Sequence, residues 1–320
     1  MTKYTTFQEA YNAAIALYQN GEFGPALDLL TEIGPQFPAD RLEADYLRSC
    51  LAVRVDNVPL TYEILDAFYA DGIWLAEGIF RASPSFAPLQ GLPEFEQRVA
   101  AHAELRAQSD PGDPRKLYTL TPDGDGAAPV ILHLHGNGSH PDIELPQWQS
   151  AADQGWLVAA LASEEVFWAG GRAVWSDHES GEKQLAYHFA NLKNDYAIDP
   201  SRIILTGFSM GADIALAQTL KGDIVPAQGF LIVAPGGPMI DEPESFQPLI
   251  EAAKNRNVRG VIMVSRKDGT IDPDKAAHLA QMLNDGGVPC QFIEYPDEGH
   301  FYPADFAKRM GEALAFILES

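Results

Sequence analysis

From Lys116 onward the chain alternates short apolar runs with stretches of helical periodicity, and no other feature constrains its fold as tightly. The runs are Lys116–Leu120, Val130–His135, Trp156–Leu161, Ile203–Thr206, Phe230–Ala234, Val258–Val264 and Gln291–Tyr295. Helical patterns such as Gly181–Tyr196, Met210–Leu220, Asp272–Asp285 and Ala304–Leu318 lie between or after them. Strands separated by helix-length crossovers pair in parallel, and a parallel sheet must be covered on both faces. The alternation therefore predicts a mostly parallel sheet with helices on both sides. In such a sheet function sits in loops at the carboxyl ends of the strands.

The preceding hundred or so residues follow a different pattern. From Phe7 to about Ala107, apolar residues recur at steps of three and four, as in Tyr11, Ala14, Ile15 and Tyr18. Breaks at Gly21, Gly34-Pro35, Pro38, Pro59, Gly72 and Ser83-Pro84 divide this stretch into about five or six short helices. Within it, Gly21-Glu22-Phe23-x-x-Ala26-Leu27, followed by Pro38, resembles a tetratricopeptide repeat. There Ala26 permits close helix packing and Pro38 is expected to end the second helix. Linker-type composition from Gln108 to Arg115 separates the two patterns. The expected organisation is an all-α, repeat-like domain over 1–110 and an α/β domain over 111–320.

Composition excludes several classes of function. A formal net charge of -23 repels duplex DNA and anionic membrane, so neither nucleic acid nor membrane is an expected partner. The N-terminal residues lack the basic and apolar regions of a secretory signal, and no apolar run is long enough to span a bilayer. The two cysteines, Cys50 and Cys290, form neither a disulfide framework nor a metal-type spacing. A cytoplasmic location is the expectation.

Four loops at predicted strand ends carry chemistry. The run Ile203–Thr206 leads into Gly207-Phe208-Ser209-Met210-Gly211 and then a helix, so a G-x-S-x-G pattern sits at a strand-to-helix turn. A serine in that context projects its hydroxyl from the sheet edge. A serine nucleophile also needs a base, a carboxylate to orient the base, and donors for an oxyanion. Ser265–Pro273 (SRKDGTIDP), Pro296–Pro303 (PDEGHFYP) and Gly136-Asn137-Gly138 supply candidates after three further strands. Together HGNG, GFSMG, SRKDGTID and EGHFYP resemble an α/β-hydrolase. Residues 115–320 are similar to bacterial carboxylesterases, dienelactone hydrolases and prolyl-oligopeptidase-type catalytic domains. The resemblance implies that Ser209 is the nucleophile, His300 the general acid and base, and the backbone N–H groups of Asn137 and Met210 the oxyanion donors. Asp268 suits the orienting carboxylate best; Asp272, placed before Pro273 and a helical run, is the alternative and also suits an N-cap. Asp213, on the first turn after the elbow, reads as a helix-dipole partner.

Other residues bear on substrate and cofactor. The H-x-H pair His133 and His135, with His140 nearby, raises a metal site, yet no Asp or Cys ligand sits close in sequence, and structural histidines are the better reading. His102, His178, His188 and His278 carry no motif and read as surface or supporting residues. Phe167, Trp168 and Trp175, in the irregular stretch Ala162–Ser180, either wall an apolar substrate pocket or pack that stretch against the protein. No nucleotide-binding glycine fingerprint or redox motif is present, so no cofactor and no metal are expected. The expected activity is that of a carboxylesterase acting on a small or medium acyl ester through an acyl-enzyme. Thioesters and peptides are further substrates for the same constellation. The alternatives are a metal-dependent hydrolase built on His133 and His135, and a helical scaffold whose hydrolase half is vestigial. A homo-oligomer or a peptide partner would engage the helical domain.

Overall fold

The computed structural model describes residues 4–109, 115–124 and 126–319. The chain divides into two compact units, Met1–Gly112 with Phe167–Gly171, and Asp113–Val166 with Arg172–Ser320. Most of the linker stretch noted in the sequence, and the boundary expected at 110/111, lie outside the described residues.

The first unit is helical: α1 (Phe7–Gln19), α2 (Phe23–Ile33), α3 (Arg41–Arg54), α4 (Val58–Ala70), α5 (Glu77–Ala82) and α6 (Pro93–Gln108). Thr6 begins α1 with a capping box, its hydroxyl accepting from Glu9 N–H while the Glu9 carboxylate accepts from the Thr6 backbone. Ala26 is fully buried on α2, where a methyl side chain lets α1 and α2 approach. The helix ends at Ile33, with Gly34 as its C-cap and Pro35 opening a short 3-10 turn, so Pro38 is not its terminator. Pro35 has no N–H to continue the ladder, and the stop falls there, before Pro38 is reached.

A second apolar cluster of this unit gathers Phe68, Phe80, Phe86, Phe95 and Trp168. His102 is buried beneath it, its Nδ1 accepting from Leu75 N–H at 3.1 Å and its Nε2–H donating to Leu65 O at 3.1 Å. Trp168 belongs to Phe167–Gly171, which runs antiparallel to Leu75: Ala76 N–H donates to Phe167 O at 2.6 Å and Ala169 N–H to Trp74 O at 2.9 Å. The Trp168 ring meets Tyr46 edge-on, with centroids 5.4 Å apart, and Phe167 stacks on Trp168.

The second unit is built on β1 (Leu117–Leu120), β2 (Ala128–Leu134), β3 (Leu157–Leu161), β4 (Glu165–Val166), β5 (Ala173–Val174), β6 (Ile198–Phe208), β7 (Gly229–Val233), β8 (Arg259–Lys267) and β9 (Cys290–Glu298). Seven of these form one sheet in the order β1-β3-β2-β6-β7-β8-β9, with β1 antiparallel and every other pairing parallel. The two-residue strands β4 and β5 pair separately as a ribbon within the stretch that looked irregular in sequence. Its helices are α7 (Pro141–Glu144), α8 (Gln149–Ala152), α9 (His178–Asp195), α10 (Met210–Lys221), α11 (Pro238–Asp241), α12 (Gln247–Ala253), α13 (Pro273–Asp285) and α14 (Phe306–Ile317).

The central strands are buried on both faces, which is why they read as continuous apolar runs. Successive side chains point to opposite sides. Val130, Leu132 and Leu134 join Leu205, Phe230 and Ile232 in the layer that receives α9, α10, α12 and α13. Ile131, with Ile204, Leu231 and Met263, joins the opposite layer around Trp148 and α14. No helix of the described residues is long and apolar enough to cross a membrane.

Because Trp168 is 6% exposed within the helical core, Trp168→Ala is expected to cost that unit about 3–5 kcal/mol. The fall in its urea midpoint, followed by far-ultraviolet circular dichroism, measures the loss.

Candidate active site

Three parallel pairings bring the sequence motifs together. Leu134 at the end of β2 lies beside Gly207 on β6, so the Gly136 loop and the Ser209 turn leave the sheet as neighbours. Phe208 pairs with Val233 on β7, placing the loop at Ala234–Gly237 on the other side of the turn. β8 and β9 pair through Ser265 and Tyr295, so Asp268 and His300 emerge next to each other.

Ser209 has φ 51° and ψ -123°, a backbone conformation that side-chain-bearing residues rarely adopt. Surrounding bonds hold it there. Its N–H donates to Val233 O at 3.2 Å, and its carbonyl accepts from Ala212 N–H at 3.0 Å and Gly236 N–H at 3.1 Å. The flanking glycines permit the turn because their missing Cβ atoms would strike backbone: at Gly207 the carbonyl of Gly211, and at Gly211 the carbonyls of Leu134 and His135. Strain of this kind persists where the surroundings over-determine it. Gly236 also flanks the hydroxyl, since a Cβ built on it would lie 3.8 Å from Ser209 Oγ.

His300 Nδ1–H donates to Asp268 Oδ2 at 2.8 Å, and the Asp268 side chain is fully buried. The other Asp268 oxygen accepts from Thr270 N–H at 2.8 Å and Ile271 N–H at 3.1 Å, so the carboxylate cannot swing away from the imidazole. Asp272 instead caps α13, accepting from Asp274 N–H at 3.0 Å. The His300 ring lies 4.9 Å from that of Phe208, the residue before Ser209, and Phe208 stacks on Tyr302 with centroids 5.0 Å apart.

Asn137 is fastened through its side chain, whose Oδ1 accepts from Trp175 N–H at 2.7 Å, and the next residue's N–H donates to Ala173 O at 2.9 Å. Trp175 is 1% exposed, its indole N–H donating to His135 O at 2.8 Å. Met210 opens α10, and the N–H groups of a first helical turn have no partner in their own helix. Trp168 is buried in the helical unit's core with Phe167 partly buried against it, and Trp175 is buried beneath the glycine loop, since large apolar rings gain by leaving water.

The H-x-H histidines do structural work. His135 Nδ1–H donates to Gly136 O at 2.7 Å and its Nε2 accepts from Ser163 N–H at 3.2 Å, which requires a neutral ring. Burial pushes its pKa down to about 4. His133 lies between Thr206 Oγ1 at 3.0 Å and Glu144 Oε2 at 2.8 Å. Glu144 is buried, which works to raise its carboxyl; the hydrogen bond from His133 and the neighbouring His133 and His135 outweigh this and hold it below its ordinary value. Among the described residues, no group of three or more His, Cys, Asp or Glu side chains is placed to hold a metal ion.

Asp213 does more than face the helix dipole. It is fully buried, and its Oδ2 accepts from His178 Nε2–H at 3.1 Å and from Met239 N–H at 3.1 Å, tying α9 and α11 to the elbow helix. Glu144 and Tyr302 are the site residues that sequence reasoning passed over. Tyr302 was visible in the run after His300, but nothing in linear spacing connects it with a glutamate more than 150 positions earlier.

The comparisons agree with this architecture. The sequence model of the dienelactone hydrolase family matches residues 161–313. The second unit has the α/β-hydrolase fold. Esterase PE8 is 21% identical, with a TM-score of 0.53 over 63% of this chain and 100% of its own. A truncated carbohydrate esterase from gut microbiota is 15% identical, with a TM-score of 0.50 over 65% of this chain and 93% of its own. An uncharacterized protein from Bacillus cereus ATCC 10987 matches through both halves, 23% identical with a TM-score of 0.55 over 98% of this chain and 99% of its own. No curated protein matches the sequence.

The buried neutral His135 makes stability depend on pH. An unfolded imidazole titrates near 6.5, so the contribution is complete above that value and is lost as pH falls from about 6.5 to about 4. Urea midpoints measured across this window should fall by the equivalent of roughly 3 kcal/mol. The decline should flatten in His135→Gln.

Proposed function

We propose that the protein is a serine carboxylesterase for small or medium acyl esters. Ser209 Oγ attacks the carbonyl carbon while His300 takes its proton, and the backbone N–H groups of Asn137 and Met210 stabilise the oxyanion. Collapse of the tetrahedral intermediate breaks the ester C–O bond, and His300 returns the proton to the leaving alcohol. Water, deprotonated by the same histidine, then attacks the acyl-enzyme, releasing the acid and restoring Ser209. Asp268 holds the imidazole in the required tautomer and stabilises the imidazolium.

The observation that carries this reading is the strained Ser209 on an elbow beside a His300–Asp268 pair joined at 2.8 Å. Backbone strain at a serine whose preceding residue, Phe208, lies against the histidine of such a pair is a feature of sites rather than of packing. The esterase names borne by two structural neighbours are our reason for proposing esters before thioesters and peptides.

Intact mass after exposure to a fluorophosphonate tests the proposal: one adduct is expected on wild type and none on Ser209→Ala. An unlabelled wild type, under conditions that fully label a known serine hydrolase, overturns it. Hydrolysis of p-nitrophenyl esters then separates the two carboxylates. Asp268→Asn should lower kcat by about 10⁴. Asp272→Ala should leave kcat near wild type and cost about 1 kcal/mol of stability as a lost cap.

A further inference from the structure

We infer that Glu144 is a positioning residue that locks the glycine loop and the histidine loop into one arrangement around Ser209; this rests on the proposed hydrolase chemistry. The Glu144 side chain is 6% exposed and has bonding partners on two separate pieces of chain, the end of β2 with its glycine loop and the loop after β9. Oε1 accepts from Gly136 N–H at 2.9 Å, immediately before the proposed oxyanion donor Asn137. Oε2 meets His133 Nε2 at 2.8 Å, at the end of β2. The same oxygen accepts from Tyr302 O–H at 3.1 Å, two residues beyond His300.

The elbow joins this set through its aromatic residue. The Tyr302 ring stacks on Phe208 at an interplanar angle of 22°, and Phe208 lies against His300. A single carboxylate thus touches the oxyanion loop directly and the base loop through Tyr302, with the residue before the nucleophile clamped between. Burying a carboxylate costs several kcal/mol before its partners repay it, and an apolar side chain would fill the same volume at no such cost. What an apolar residue cannot do is accept from a loop N–H and a tyrosine hydroxyl at once. The charge therefore serves geometry, and that geometry has its value in the transition state, where donors must meet an oxygen that moves as the carbonyl becomes tetrahedral.

Glu144→Gln is the informative change, because it keeps shape and volume but leaves one side of the group unable to accept. Turnover of p-nitrophenyl acetate is measured per active site titrated with fluorophosphonate, at a temperature where each variant is fully folded by circular dichroism. Titration separates the two roles, since a merely structural residue would lower the number of competent sites and leave turnover per site unchanged. The expected result is a fall in kcat per site of about 10- to 100-fold with KM within about threefold, a fraction of what deletion of an oxyanion donor costs. Tyr302→Phe, which keeps the stack on Phe208 and removes the hydroxyl, should lower kcat per site by about 3- to 10-fold and is decisive if Glu144→Gln does not fold. Turnover per site within twofold of wild type in the folded Glu144→Gln variant, or in Tyr302→Phe where the former is unfolded, overturns the inference and leaves the esterase reading intact. A loss expressed in KM alone also overturns it. A wild type that neither labels nor turns over overturns the esterase reading, and this inference with it.

Discussion

The parallel pairing of β2 with β6 is the constraint on which the rest of the site depends. Its register sets Leu134 beside Gly207, so the loop that follows one strand and the turn that follows the other must share the same small volume. Gly211 has no side chain because the carbonyls of Leu134 and His135 occupy its place, and that contact presses the start of α10 against the end of β2. The unusual backbone of Ser209 is a consequence. The chain must reverse from strand to helix within one residue, and bonds from Val233, Ala212 and Gly236 hold it in that state.

Around this pairing the protein buries a considerable amount of polar chemistry. His133, His135, Glu144, Thr206, Asp213 and Asp268 are all buried in the second unit, each with a hydrogen-bond partner. Groups like these are expensive in an apolar core unless satisfied, and satisfied networks make a core specify one arrangement. Here they lie near the carboxyl ends of the strands, where loops must be held to hydrogen-bond precision. The two large apolar layers of the sheet supply most of the stabilisation and very little of that precision.

Much of this organisation was legible in the chain. Strands buried on both faces appear as unbroken apolar runs, so the seven strands of the main sheet could be placed by eye, though β6 begins five residues earlier than its apolar run. Ser209 and His300 stood out because their surroundings are backbone requirements, written as glycines at fixed spacing. The β4–β5 ribbon was invisible, being two residues per strand and held by contacts to residues far away in sequence. Asp268 and Asp272 were both credible orienting carboxylates, since either follows the same strand; which one meets the imidazole depends on how the loop after β8 turns.

By itself, then, the sequence determined the architecture: a helical segment, a parallel sheet, and a serine placed at a forced turn. Periodicity and glycine placement act locally, and local constraints survive in a linear reading. Tertiary structure alone decided the partners. It sent Trp168 into a helical core, set Trp175 beneath the glycine loop, and brought Glu144 to Tyr302. Those contacts join residues whose separation along the chain carries no information about their distance in space, because side-chain partners are chosen by packing after the strands have paired.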